Sequence, residues 1–197
     1  MTVISNGTNL INNGALDSGA AVGSLILLAT QTASSSSTIT FSSGIDSTHK
    51  VYIFKFINIH PASTANLVFQ ANAVDASGEN ETMTTTHVIA AHNEAGAGAG
   101  VGYQTALHQA QGTNFQRIGK ASNAADECLS GELILFNPSS TTFMTHYLSR
   151  VNNYNATYSQ EEISAGYFNT TAAIDEIQFK MSTGNMDAGT LKLYGVN

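Results

Sequence analysis

The chain has no tryptophan, one cysteine, two prolines and only 7 lysines and arginines among 197 residues. Each scarcity removes a class of function. A single thiol, Cys128, cannot form an intrachain disulfide, and the cysteine count gives no sign of an oxidising compartment. It stands in "DECLSGEL", where Asp126 and Glu127 disfavour a thiolate, so it reads as a small structural residue and not as a nucleophile. The formal net charge is -7, with no basic stripe and no interleaving of basic and aromatic residues, so no nucleic-acid partner is expected. No segment approaches the roughly 18 apolar residues of a membrane span, and "SLILLA" at 24–29 is much too short. No basic residue precedes Lys50, so neither a secretory signal peptide nor a membrane partner is expected.

Charged residues make up 11% of the chain, less than half of the roughly 25% usual in soluble domains. Solubility therefore rests on Ser, Thr, Asn and Gln. Uncharged hydroxyls and amides can be buried at a contact at lower desolvation cost than Lys or Glu, which suits a surface meant for a crowded assembly. The sequons at Asn6, Asn80, Asn155 and Asn169 follow from the Asn- and Thr-rich composition and carry no weight without a secretory route.

What is present is a series of strand-like segments. Residues 1–23 mix Gly, Asn and scattered apolar residues and read as an extended N-terminal arm; residues 24–197 read as one domain. After the apolar run and the Ser-rich stretch, Thr38–Phe41 alternates, with Ile39 and Phe41 on one face. "KVYIFKFINIHP" at 50–61 is the strongest segment. Val51, Ile53, Ile57 and Ile59 share one parity and Tyr52, Phe54 and Phe56 the other, the pattern of a central strand covered on both sides. "ANLVFQANAV" follows after "ASTA", a connection short enough for an antiparallel partner.

From 75 to 130 the pattern weakens, and long loops with one or two strands are expected, with a helical turn possible around 104–111. "GELILFNPSSTTFMTHYLS" then gives two strands flanking an Asn-Pro-Ser-Ser turn. "YNATYSQEEISAGYFNTT" reads as a polar loop. The closing stretch reads as a hairpin, with Ile174, Ile177, Phe179 and Met181 before the turn and Leu191 and Leu193 after it. No helical stripe persists for three turns. The expected fold class is all-β, an antiparallel β-sandwich of jelly-roll type.

Candidate sites fail on spacing. The run "AGAGAGVG" at 95–102 places Val101 and Tyr103 where a GxGxxG phosphate loop needs glycine, so it reads as a flexible loop. Six histidines (His49, His60, His87, His92, His108, His146) show no metal-ligand spacing, and His87 and His92 would lie on opposite faces of a strand. The acidic pairs Asp126/Glu127, Glu161/Glu162 and Asp175/Glu176 lack the sugar-stacking aromatics of a sandwich glycosidase. "DASGENE" at 75–81 leaves a calcium loop open as an alternative to a solvated acidic loop. No Ser-His-Asp arrangement can be proposed, because Gly-x-Ser-x-Gly is missing. No catalytic, metal-binding or cofactor-binding residue is therefore assigned, and no enzymatic activity is expected.

Three blocks together carry a resemblance: "YIFKFINIHPASTANLVFQANA", "SGELILFNPSSTTFMTHY" and "AIDEIQFKMSTGNMDAGTLKLYGV". Over roughly residues 50–197 the arrangement resembles a diffuse group of tailed-bacteriophage virion proteins, including capsid decoration (cement) proteins and some head-fibre or tail components. The resemblance implies a jelly-roll sandwich made in the bacterial cytoplasm and carried on the outer capsid surface. It also implies binding without chemistry, with the major capsid protein and further copies of itself, as a homotrimer, for partners. The arm at 1–23 would wrap a neighbour or swap between subunits, the alternative being a partly disordered terminus. The alternative it leaves is a receptor- or carbohydrate-binding module of a head or tail fibre, for which Tyr103, Tyr154, Tyr158 and Tyr167 are the candidate stacking residues.

Overall fold

The computed structural model describes residues 24–197 in full. Within 1–23 it describes only the backbone of β1 (Val3–Ser5), β2 (Thr8–Asn12) and β3 (Ala15–Leu16), which pair antiparallel as a small sheet of their own. The rest of the expected arm lies outside the described residues.

From Leu25 onward the chain forms β4 (Leu25–Thr32), β5 (Ile39–Phe41), β6 (Val51–Pro61), β7 (Ala65–Ala73), β8 (Met83–Asn93), β9 (Gly100–Tyr103) and β10 (Ala110–Gly112). It continues through β11 (Gln116–Ala121), β12 (Leu129–Phe136), β13 (His146–Asn155), β14 (Tyr158–Phe168), β15 (Ile174–Met181) and β16 (Met186–Val196). No helix occurs among the described residues; near 104–111 there is only a turn, closed by the Leu107 amide on the Gln104 carbonyl at 3.0 Å. All strand pairs are antiparallel.

The fold is an antiparallel β-sandwich. The larger sheet runs β10-β8-β14-β13-β12-β6-β16-β4, with β9 on β8, and the smaller runs β11-β7-β15-β5. Four of the pairings are nested: β4 with β16, β5 with β15, β6 with β12 and β7 with β11. The β13–β14 hairpin and the β8–β10 segment extend the larger sheet beyond this nest.

Between the layers the alternation of each strand supplies the core. Tyr52, Phe54 and Phe56 of β6, Leu133 and Leu135 of β12, and Leu191 and Leu193 of β16 face Leu67 and Phe69 of β7 and Ile177 and Phe179 of β15. Phe179 is the hub of this core. Its ring lies edge-on to Phe54 and Phe56, each at 5.2 Å, and to Phe41 at 6.2 Å, which is favoured by the ring quadrupoles. Each such side chain contributes roughly 1.5–3 kcal/mol by leaving water.

Several expectations are corrected here. β7 does not pair with β6, because residues 62–64 cross from one sheet to the other; three extended residues span about 10 Å, the separation of stacked sheets. For the same reason β15 and β16 are not a hairpin but lie in opposite layers. The region 75–130 holds four strands, and the "polar loop" after Tyr154 is mostly the eleven-residue β14. β6 is covered on one face only. Ile59 also departs from its parity group: Asn58 has φ 51°, the register slips there against β12 and β16, and Ile59 turns into the core while Ile57 stays exposed.

Gly195 shows why the last strand needs a residue without a Cβ. An added Cβ would lie 2.2 Å from Cδ2 of the buried His49 ring, which packs on the β16 backbone beside Tyr52.

Candidate functional site

The outer face of the larger sheet is the most unusual surface of the molecule. Strand register aligns its outward side chains into transverse rows. One row reads Leu25, Val196, Val51, Phe136, His146, Tyr167 across β4, β16, β6, β12, β13 and β14. The next, two residues along, reads Leu27, Tyr194, Ile53, Ile134, Leu148, Ala165. Leu27 is 51% exposed and Leu148 48% exposed. Six strands at about 4.8 Å and two rows about 7 Å apart set the strip's outermost positions roughly 24 Å apart across the strands and roughly 7 Å apart along them. Of its twelve residues Leu25, Leu27, His146 and Leu148 are exposed and the other eight half-buried, which makes it a half-open apolar band; contiguous apolar surface of this kind is often functional.

A charged row borders the strip. Lys192, Lys55, Glu132 and Arg150 follow one another across β16, β6, β12 and β13, with ion pairs from Lys55 to Glu132 and from Arg150 to Glu161. Several shallow depressions open on the same face, among them a polar one of about 380 Å³ at Lys55, Glu132, Arg150 and Glu161. One of about 410 Å³ lies among Phe136, His146, Leu148 and Tyr167, and another of about 250 Å³ among Ile134, Leu148, Arg150 and Ile163. Between β12 and β13 the connection adds Phe143, 72% exposed, and Met144 at one end of the face. An apolar centre with a charged border and a protruding aromatic is the anatomy of a protein-binding surface.

Chemistry is concentrated elsewhere, inside the sandwich. Glu162 on the inner face of β14 is fully buried and accepts hydrogen bonds from Arg117 Nε at 2.8 Å, Arg117 Nη2 at 2.7 Å, the Lys120 amide at 2.8 Å and His87 Nε2 at 3.0 Å. Burial pushes its pKa up, but the bonds from His87 and Arg117, the Arg117 charge and the Lys120 amide outweigh that and hold it at about 2. The carboxylate is therefore ionised, fully engaged and lined by no cavity. It joins β8 and β14 of the larger sheet to β11 of the smaller, which is a structural role. Tyr147 and Ser164, bonded through their hydroxyls at 2.9 Å, are neighbours in the same interior.

The remaining sequence candidates are dispersed. His87 is buried and His92 exposed on opposite faces of β8, as alternation requires. Glu161 and Glu162 likewise point to opposite faces of β14. The glycine run makes the hairpin turn between β8 and β9, left-handed at Gly96 and Gly98, with no helix after it. Cys128 sits with Asn58, His60 and Asp126 around a shallow hollow beside the β6 bulge.

In the "DASGENE" loop, Glu81 has its pKa raised by burial and then by Asp75, and Glu176 on β15 has its own raised by burial, by Glu79 and by Asp175. These carboxylates repel one another. Among the described residues no three acidic, histidine or cysteine side chains converge as a metal-binding group. Of the four tyrosines, Tyr103 on β9 is half exposed while Tyr154, Tyr158 and Tyr167 are half-buried within or beside strands, so they do not form one platform. Comparison with protein families, with curated proteins and with solved structures finds no match to this chain.

Proposed function

We propose that this chain is a non-enzymatic structural protein of a tailed-phage virion, a capsid decoration protein that docks on the outer shell and bridges neighbouring capsomers. The observation that carries this reading is the half-open apolar face of the larger sheet, bordered by charge, on a sandwich whose central buried carboxylate, Glu162, is fully engaged. Such a face binds by area and shape. Repeated over many copies, contacts that are individually weak become strong, because each copy engages several shell subunits at once.

The nested pairs support the finer fold assignment. Numbered in order along the chain, the eight strands β4, β5, β6, β7, β11, β12, β15 and β16 pair first with last, second with seventh, third with sixth and fourth with fifth. Such nesting is what a long antiparallel ribbon rolled into two layers would give, and it supports a jelly-roll reading of the sandwich. The β13–β14 hairpin and the β8–β10 segment widen one layer, and β13 and β14 supply four of the twelve residues of the apolar strip.

The test is the copy number of the chain in purified phage particles, relative to the main shell protein, by quantitative mass spectrometry. Decoration predicts a ratio within a few-fold of the shell protein. A handful of copies per particle would move the chain to a fibre and make receptor or glycan binding its role, and complete absence would refute the virion reading.

A further inference from the structure

The sandwich has four sheet edges, and three are protected. β10 at one end of the larger sheet is three residues long, and β9 beside it is four. In the smaller sheet β5 has three residues and β11 carries Arg117 and Lys120. Shortness and charge are the usual means of blocking edge-to-edge pairing.

β4 has neither. It is eight residues, LILLATQT, without charge or proline, and it pairs only with β16 among the described residues. No charged residue occurs between Asp17 and Asp46. The one irregularity is a bulge at Leu28, which leaves Leu25–Leu27 and Ala29–Thr32 in register on either side. Among the described residues nothing pairs with the other side of this strand, a row of backbone donors and acceptors that asks for another strand.

The partner must offer an unpaired edge of similar length without charge. On the described chain β4 alone has that character. We propose that two copies of this chain pair β4 against β4, antiparallel, across a two-fold axis. A two-fold contact uses the same patch on both copies and closes on itself, whereas β4 against any other edge of the molecule would be shorter or would face lysine and arginine. Antiparallel pairing over the length of β4 sets Leu25 and Leu27 of each copy opposite the Thr32 and Thr30 end of the other, so the two larger sheets join into one with their apolar strips stepped along the seam. The contact is two-fold and so departs from the homotrimer that the resemblance implies. It rests on the strand edge and does not need the capsid reading.

The test is analytical ultracentrifugation of the full chain across a micromolar concentration series, with hydrogen exchange at low and high concentration. A monomer–dimer equilibrium is expected, with the β4 amides gaining protection as dimer forms. Leu27→Lys and, separately, Thr30→Lys place like charges at the seam on exposed positions and should weaken the dimer at least about tenfold without lowering Tm. A monomer at every concentration overturns the proposal. So does any oligomer, trimer included, that both substitutions leave unchanged, or one whose protection appears outside β4.

Discussion

Replacing Glu162 by Gln should remove most of the acid sensitivity of this fold. The carboxyl is held at about 2 instead of its ordinary 4.5. At about 1.4 kcal/mol per pH unit, that difference contributes about 3 kcal/mol of stability. Because the folded pKa is the lower one, the contribution is complete above about pH 5 and drains away as pH falls from 4.5 towards 2. In the Glu162→Gln variant the half-buried Arg117 loses its counter-charge inside the sandwich, so a loss of about 3 kcal/mol is expected already at neutral pH. The acid limb should flatten in return. The assay is urea unfolding of both proteins at several pH values between 7 and 3. The wild-type midpoint should fall steeply below pH 4.5 while that of the variant changes less over the same window. Parallel acid limbs, or a neutral-pH loss below about 0.5 kcal/mol, would refute the reasoning, because the network would then hold the sheets together no better than an uncharged pair.

Other perturbations follow from the same packing. Phe179→Ala empties the hub of the aromatic core and should cost about 3–5 kcal/mol in urea unfolding, with far-UV circular dichroism retained if the sandwich survives. Gly195→Ala drives a Cβ into the His49 ring and should lower stability by about 1–3 kcal/mol, readable as a fall in Tm; an unchanged Tm would mean that the ring moves aside freely. Glu176→Gln should have the opposite sign from Glu162→Gln. The Glu176 carboxyl is raised by burial and by Glu79 and Asp175, so the folded state binds the proton more tightly and ionisation destabilises it as pH rises above about 4.5. The variant should unfold at higher urea than wild type at pH 7, and the gain should vanish near pH 4.

Strand identity was readable where core-facing positions are apolar. β6 and β12 announce themselves through Tyr52, Phe54 and Phe56 and through Leu133 and Leu135. β14 does not, because its inward positions are Glu162 and Ser164, whose burial depends on Arg117, His87 and Tyr147 from distant parts of the chain. β8 hides in the same way behind Thr85 and His87. Which sheet a strand joins was also not legible: a three-residue connection serves a hairpin and a crossing between layers equally well, and only the packing of Phe179 against Phe54 and Phe56 of β6 and of Phe69 against Tyr147 of β13 decides. The bulge at Asn58 could not be read from an otherwise regular run.

The candidate site left a clear trace that invites one misreading. β6 is apolar on both parities, as a strand buried on both sides would be. The structure covers Tyr52 and Phe54 but leaves Ile53 half open and Ile57 exposed, within or beside the apolar strip. Two apolar faces here signify one core and one half-open outer face, the face proposed to bind.

The claim that this surface seats the protein on a shell is tested most directly by co-sedimentation with isolated phage heads. Leu148→Lys and Ile134→Lys change outward-facing residues at the centre of the strip, one exposed and one half-buried. Wild-type protein should pellet with the heads to saturation, and each variant, folded by circular dichroism and with Tm within a few degrees of wild type, should bind at least about tenfold more weakly. Undiminished binding by both variants would contradict the account and place the contact on another surface.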